Sequence, residues 1–308
     1  MKTSEPLIVG IEEAYRNHPI PQLPNFKIVP WEDQKTILSA DIYLQNNIIS
    51  QKRKKLKKYY QFILDSNKPF LVTESSVFRK NMIRPPSPMA YHRYSWTSYF
   101  RDEGNYCNEN SPPDRWLRIQ KEQQIEIKDW KESGEYVLVI LQRPGDSSLK
   151  NLIEKYKTYD NFLSSTVADI RNNTDRKIRL RLHPLRQEQQ LEIIHNLNIV
   201  NVEISPNTHG AKPLEGGAGL YEDFNNASAV VGFNSNALTE SICEGIPTFS
   251  LCPSSMAWEC SNKDLSLLEN PEYFERNQWL YNLGYCQWRE DEILRGDPWF
   301  HLKEKYDQ

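Results

Sequence analysis

Nowhere in its 308 residues does the sequence carry an apolar run long enough to span a bilayer. The opening Met1-Lys2-Thr3-Ser4-Glu5-Pro6 also lacks the long apolar core of a secretory signal. A cytoplasmic location is therefore expected, with at most a peripheral association with the inner membrane. Cysteine is sparse: Cys107, Cys243, Cys252, Cys260 and Cys286 are odd in number and scattered. They include no close pair of the kind that builds a zinc site or a secreted disulfide framework, and they read as buried or incidental thiols. Charge of one sign is missing too. A formal net charge of −3 exerts no general attraction on nucleic acid, so any phosphate contact must come from a local patch.

Several catalytic signatures are absent. There is no Walker phosphate loop, no glycine-rich dinucleotide fingerprint, no nucleophile elbow and no pair of histidines at zinc-ligand spacing. No Asp-X-Asp clamp stands out, so the expected site has no essential divalent ion. Neutralisation of an anionic ligand then falls to helix dipoles, His183, Arg143 and Arg181.

What is present is a pattern of short apolar runs separated by helical segments, in a chain long enough for two domains with cores of their own. In the first half, Leu7 to Ile11, Asp41 to Leu44 after a polar, proline-rich loop, and Pro69 to Thr73 read as buried parallel strands. The segment from Ile48 to Asp65 reads as a helix carrying Arg53, Lys54, Lys55, Lys57 and Lys58. This basic run is either a solvated face or a surface for phosphate or an acidic acceptor. Residues 81–134 look irregular but ordered, because Tyr94, Trp96, Tyr99, Phe100 and Trp116 offer much apolar area to bury.

The second half alternates more cleanly. Strands are expected at Tyr136 to Leu141, Lys177 to Leu182, Val200 to Ile204, Ala229 to Gly232 and Pro247 to Leu251. Helices are expected over most of Ser148 to Ile170, at Arg186 to Leu197 and at Ala237 to Cys243. Such alternation gives a parallel sheet covered on both faces, with ligands beyond the carboxyl ends of its strands.

Four segments fall where a strand gives way to a loop or helix. Gln142 to Ser148 holds Gly145, free to take positive φ, with Arg143 and Asp146 beside it and Ser147 or Ser148 able to cap the next helix. Its bland reading is a well-made loop; the functional one is a cradle for phosphate or sugar oxygens. Arg181-Leu182-His183-Pro184 ends a strand abruptly, so that the imidazole can face the open edge of the sheet and donate to a phosphate. Asn234-Ser235-Asn236 opens a helix on which Glu240 and Glu244 share a face, where a carboxylate can accept from ribose hydroxyls. Gly245 then ends that helix. Glu74 follows the strand at Pro69 to Thr73 and is the candidate proton acceptor, with capping or salt bridging as its structural alternative.

Taken in order over about residues 69–250, these segments resemble GT-B-type glycosyltransferases of bacterial surface-polysaccharide synthesis. The resemblance is greatest to capsule-type Kdo transferases and more distant to bacterial sialyltransferases. Glu74 to Arg79 looks like a degenerate Glu-Asp-Gly-Phe-Leu-Arg segment, and Gln142 to Ser148 like the family's Gln-to-Asp-Xaa-Ser turn. His183-Pro184 is similar to its His-Pro pair, and Asn234 to Pro247 to its strand-to-helix segment ending in Glu-Ala-Leu-Xaa-Gly-Xaa-Pro.

The resemblance implies an α/β fold of GT-B type, with two Rossmann-like domains facing a cleft. Residues 1–133 would form an acceptor-side domain with a long aromatic loop, 134–285 a nucleotide-sugar-binding domain, and 286–308 a helical segment packing back on the first domain or lying at its periphery. Donor contacts are expected from Gln142, Arg143, Asp146, Ser148, Arg181, His183, Asn234, Ser235, Asn236, Glu240 and Glu244. Acceptor-side contacts are expected from Arg79, Asn110, Asp114 and Arg115.

The substrate would be a CMP- or UDP-sugar, the reaction an inverting transfer to a glycan or glycolipid hydroxyl, and the base the second acid of the Glu-Asp-Gly segment. That position is Ser75 here, which leaves the role to Glu74 or to a loop carboxylate such as Glu109 or Asp114. Two other readings stand beside this one. The first is transfer to a modified DNA base, as in viral enzymes; the second is a non-catalytic nucleotide-sugar-binding protein that kept the pocket and lost the base.

Overall fold

The computed structural model describes residues 7–11, 20–23, 26–31, 33, 35–46, 54–83, 86–206 and 219–306. The chain divides into two compact units. One comprises residues 1–77, 82–118 and 280–308, and the other residues 78–81 and 119–279.

The first unit is built on a six-stranded sheet of β1 (Leu7–Ile11), β2 (Phe26–Pro30), β3 (Ile42–Asn46), β4 (Phe70–Ser75), β5 (Tyr91–Trp96) and β11 (Gln287–Arg289). Their order is β11-β5-β4-β3-β1-β2. β1 to β4 pair in parallel; β5 runs antiparallel to both β4 and β11. The helix expected from Ile48 is seen as α1 (Lys54–Asp65), while 48–53 lie outside the described residues. Of the basic run, Arg53 and the side chains of Lys54, Lys55 and Lys57 also lie outside them, and Lys58 is exposed. Around this sheet Val9, Ile42, Leu44, Leu71, Tyr94 and Trp96 pack with Trp288, Ile293, Trp299 and Leu302. The last three belong to α9 (Glu290–Arg295) and α10 (Asp297–Tyr306).

Three expectations are corrected here. The proline-rich stretch before β3 contains β2, paired with β1 along its whole length. The irregular region contains β5 and α2 (Asp114–Gln123). β5 escapes pattern reading because all six of its residues are buried, polar ones included. Its Arg93 donates to the carbonyls of Ser75 (2.9 Å) and Tyr99 (3.4 Å), and its His92 pairs with Glu290. Glu74 does not follow a strand: it is a residue of β4, opposite Arg93.

In the second unit a five-stranded, wholly parallel sheet has the order β10-β9-β6-β7-β8. Its strands are β6 (Tyr136–Ile140), β7 (Lys177–Arg181), β8 (Val202–Ile204), β9 (Ala227–Gly232) and β10 (Thr248–Ser250). β6 is the central strand, and its run Tyr-Val-Leu-Val-Ile is buried throughout, as a strand covered on both faces requires. α4 (Tyr159–Asn173) contributes Leu163 and Ile170 to the core, and α5 (Gln187–Asn196) contributes Ile194. α7 (Ala237–Cys243) comes close to β9 at Gly232, where a Cβ would press on Leu238. The chain also forms α3 (Lys150–Tyr156), α6 (Leu220–Asn225) and α8 (Asn277–Tyr285).

Candidate functional site

From β6 the chain steps outwards through β7 to β8, then returns to the other side of β6 to lay down β9 and β10. Connections therefore leave β6 and β9 in opposite directions. In doubly wound sheets the crevice beyond the carboxyl ends of two such strands is where ligands bind. Gln142 follows β6 and Asn234 follows β9, so both stand at this switch point.

There they grip each other. Gln142 Nε2 donates to Asn234 Oδ1 (2.7 Å), and the Asn234 backbone N–H donates to Gln142 Oε1 (3.1 Å). Asn234 Nδ2 donates to the carbonyl of Ser148 (2.8 Å), and Gln142 Nε2 also reaches Ser148 Oγ at 3.4 Å. Three residues from two expected segments thus form one hydrogen-bonded node, half-buried at the sheet edge. Ser235 Oγ accepts from the Ala237 N–H (3.3 Å), whereas Asn236, the N-cap of α7, makes no capping bond through its side chain.

Gly145 takes φ +75° with open space around it, as the loop reading expects. The cap is a correction, because Asp146 rather than Ser147 or Ser148 caps the 3-10 turn at Ser147–Leu149, accepting from Ser148 N at 3.0 Å. Asp146 also pairs with Arg143 at 2.6 Å, which holds that guanidinium over the loop while leaving it partly exposed.

His183, just past β7, is half-buried, and its Nδ1 accepts from the backbone N–H of Leu185 (3.2 Å). A ring nitrogen that accepts from an amide carries no proton, so the neutral imidazole has its hydrogen on Nε2. Burial, helped by the positive charges of Arg143 and Arg186, lowers the His183 pKa. At neutral pH it is thus a neutral Nε2–H donor beside a guanidinium.

Two residues that sequence reasoning missed align this edge. Gln190, fully buried on α5, accepts from the His183 N–H (2.6 Å) and donates to the Gln142 carbonyl (2.9 Å) and to Tyr159 Oη (2.8 Å). Tyr159 donates to the same Gln142 carbonyl at 3.0 Å. Each is one polar position on an amphipathic helix, with no local signal that it reaches a strand end far away in sequence.

Other expected donor contacts are engaged within the protein. Arg181 is buried against Asp223 (2.5 Å) and the Gly219 carbonyl (3.0 Å), with Ser205 also bonded to Asp223. Glu240 and Glu244 share a face of α7 as expected, but that face meets residues 78–81. Glu240 accepts from the Arg79 backbone N–H at 2.7 Å, and Glu244 pairs with Lys80 (2.8 Å) and with Lys128. Burial pushes the Glu240 pKa up to about 7, whereas the two lysines hold Glu244 below the usual carboxylate range against its own desolvation. Both carboxylates are thus engaged within the second unit. Arg79, expected on the acceptor side, belongs to it.

In the first unit, Glu74 Oε1 accepts from both the backbone N–H and the hydroxyl of Ser75, each at 2.7 Å. Ser75 therefore binds Glu74 through both its backbone and its hydroxyl. Asn110 is exposed at φ +54°, and Asp114 is exposed and accepts from Tyr285 Oη (3.0 Å); Glu109 is also exposed. Arg115 differs from these. It is buried, makes two 2.9 Å bonds to Glu292, donates to the Gln287 carbonyl, and lies 3.8 Å from the centroid of Trp288. Its role is to bind α2 to β11 and α9. Among the described residues, no group of three or more His, Cys, Asp or Glu side chains is placed to hold a metal ion, and no helix is long and apolar enough to cross a membrane.

Among solved structures, the chain is similar to the β-Kdo 2,4-transferase of Thermosulfurimonas dismutans KpsC. The TM-score is 0.58 at 12% identity, covering 91% of each chain. The fold is GT-B-like. A second similar structure is the β-Kdo 2,7-transferase of the same protein, with a TM-score of 0.54 at 13% identity, covering 96% of this chain and 99% of that one. No protein-family model and no curated protein sequence matches the chain. The GT-B-like chain therefore shares its fold with these transferases at an identity too low to carry over their substrates.

Proposed function

We propose that this chain is a glycosyltransferase that moves a sugar from a nucleotide-sugar donor to the hydroxyl of a glycan or glycolipid acceptor, by inversion and without an essential divalent ion. The observation that carries this reading is the switch point of the second sheet. The Gln142–Asn234–Ser148 node closes its floor, and a neutral His183 and the Arg143 guanidinium offer donors beside it. Phosphate oxygens would accept from His183 Nε2–H and Arg143, so that the departing nucleotide carries its growing negative charge against fixed donors. The donor is a CMP- or UDP-sugar; the similarity to two Kdo transferases favours CMP-Kdo.

In the transfer itself, the acceptor oxygen bonds to the anomeric carbon while the bond from that carbon to the phosphate oxygen breaks, and the hydroxyl proton goes to a base. Glu74 is the candidate base, with its Oε1 fixed by Ser75.

Transfer and donor binding, measured on wild type, His183→Ala and Glu74→Gln, test the reading. His183→Ala should weaken donor binding by about tenfold to a hundredfold, the loss of one hydrogen bond to a charged group. Glu74→Gln should depress turnover far more than donor affinity. Undiminished turnover in Glu74→Gln moves the base elsewhere.

The Ser75 replacement also favours a second reading, a nucleotide-sugar-binding protein without catalysis. Wild type that binds donor but neither transfers nor hydrolyses it, across a mixed acceptor panel, would establish that alternative.

A further inference from the structure

Residues 78–81 belong to the second unit, although the chain on either side of them belongs to the first. Each of the four is held there. Phe78 is buried, the Arg79 amide donates to Glu240 Oε1 (2.7 Å), Lys80 Nζ pairs with Glu244 (2.8 Å), and Asn81 Nδ2 donates to the Gln123 carbonyl (3.0 Å). Lys80 Nζ also lies 4.9 Å from the centroid of the Tyr221 ring on α6.

Against this segment lies a cavity of about 10 Å³, whose lining includes Phe78, Ile125, Tyr221, Cys243 and Glu240. It is no larger than one water molecule needs. Glu240 is 4% exposed, so its carboxylate has almost no water to hydrate it. Burial outweighs the pull of the Arg79 amide and charge and pushes the Glu240 pKa up to about 7. The groups that face it are Arg79 and Lys80 of the segment, Tyr221 of α6, and Cys243 and Glu244 on and just after α7. Burial keeps the Tyr221 hydroxyl and the Cys243 thiol protonated at neutral pH, while Lys80 and Lys128 keep Glu244 ionised against its own desolvation. Glu240 is thus the acid of this cluster whose charge changes near neutrality. Once ionised, it stands one helical turn from a second carboxylate, in a cavity without room for hydration. Lifting residues 78–81 admits water to both.

We propose that residues 78–81 are a pH-sensitive strap on α6 and α7, closed while Glu240 carries a proton and released when it loses it. Linkage gives the sign. The closed strap holds the proton to about pH 7, whereas an open one leaves Glu240 in water at its ordinary 4.5. The preference for the closed form is therefore full below pH 4.5 and declines as pH climbs to about 7. The strap goes beyond the transferase reading and stands whether or not the chain transfers sugar.

Amide hydrogen exchange of the full chain, read by NMR at pH 6 and pH 8 and referred to the intrinsic rate at each pH, tests it. The Arg79 amide should exchange by local opening, with protection at least about tenfold lower than that of the β6 amides. That protection should fall about tenfold from pH 6 to pH 8, the change linkage requires of one acid moving between 4.5 and about 7. In Glu240→Gln, whose side-chain oxygen can still accept from Arg79, it should change by less than about twofold. Lys80→Met should lower it by about threefold to fivefold at both pH values and keep the tenfold ratio.

Iodoacetamide gives a second readout, because Cys243 is buried in the same cavity. At pH 8 its alkylation, located by mass spectrometry, should be several times faster in wild type than in Glu240→Gln. Loss of a nearby negative charge would by itself speed the variant, so a slower variant reports the strap. Constant Arg79 protection in wild type would overturn the proposal without any variant. So would Arg79 exchanging together with the β6 amides, an equal fall in wild type and Glu240→Gln, indifference to Lys80→Met, or Cys243 alkylated equally fast in both proteins.

Discussion

Glu240 shows what a single side chain can reveal and conceal. A period of 3.6 puts it on one face with Glu244, where the sequence alone suggests ribose hydroxyls as partners. The partner that claims it, the Arg79 amide, lies some 160 positions earlier and has no local signature. Burial, only partly offset by the Arg79 amide and charge, raises its pKa from 4.5 to about 7. The folded state therefore holds a proton that the unfolded chain releases as pH rises through 4.5. Stability contributed by the neutral acid is fully present below that pH and is lost as pH climbs to about 7, by about 3 kcal/mol in all. Glu244 has the opposite sign and acts lower, its contribution fading as pH falls below 4.5. Urea unfolding of wild type and Glu240→Gln at pH 5 and pH 7.5 should show wild type losing stability over this interval and the variant losing much less. Parallel slopes would mean that Glu240 is ionised throughout. By contrast, Gln142, His183 and Asn234 were legible because the apolar runs before them fix where each strand ends. Gln190 and Tyr159, which align them, were not, because nothing in a helix sequence says which strand end its polar residue will reach.

At the level of elements, the second sheet was legible almost strand by strand, since β6 is an uninterrupted apolar run and β9 is broken only by Ser228. β5 and β2 were not: one buries histidine, arginine and serine through partners distant in sequence, and the other buries only Val29 among its five residues. Glycine separates the two kinds of turn around the site. Gly145 and Gly245 both have φ +75°, but a Cβ at Gly145 meets nothing, whereas at Gly245 it would run into the carbonyl of Asp129. The Gly245 carbonyl also accepts from the Lys131 N–H at 2.6 Å, so the backbone after α7 has little room to yield. Gly145→Ala should cost about 1 kcal/mol, the conformational penalty alone. Gly245→Ala adds a backbone collision and should cost several times that, on the order of 3 kcal/mol or more. Chemical denaturation compares the two directly, and equal costs would contradict the close approach.

For the molecule as a whole, a donor that binds the folded second unit and not the unfolded chain stabilises it by mass action. At about a hundred times its dissociation constant the gain is about 2.7 kcal/mol, or several degrees in melting temperature for a unit of this size. A screen of CMP-, UDP-, GDP- and dTDP-sugars should therefore produce a shift with one base and little with the others. His183→Ala should reduce that shift at fixed donor concentration. A flat response to all four would remove the donor site from the switch point.

The first unit takes its final strand and two of its helices from the end of the chain, with Trp288, Ile293, Trp299 and Leu302 completing a core begun by Val9. During synthesis that has a consequence for the order of events. When β1 to β5 have left the ribosome their sheet still lacks an edge strand and part of its apolar filling, and it stays so until residue 288 and beyond emerge. At ordinary elongation rates the delay is on the order of ten seconds or more. The second unit, whose β6 to β10 and α3 to α7 all lie between residues 119 and 279, has these parts sooner. The half of the sequence that is translated first is thus the half that can finish folding last. For that interval its unfinished edge is the surface most in need of a chaperone.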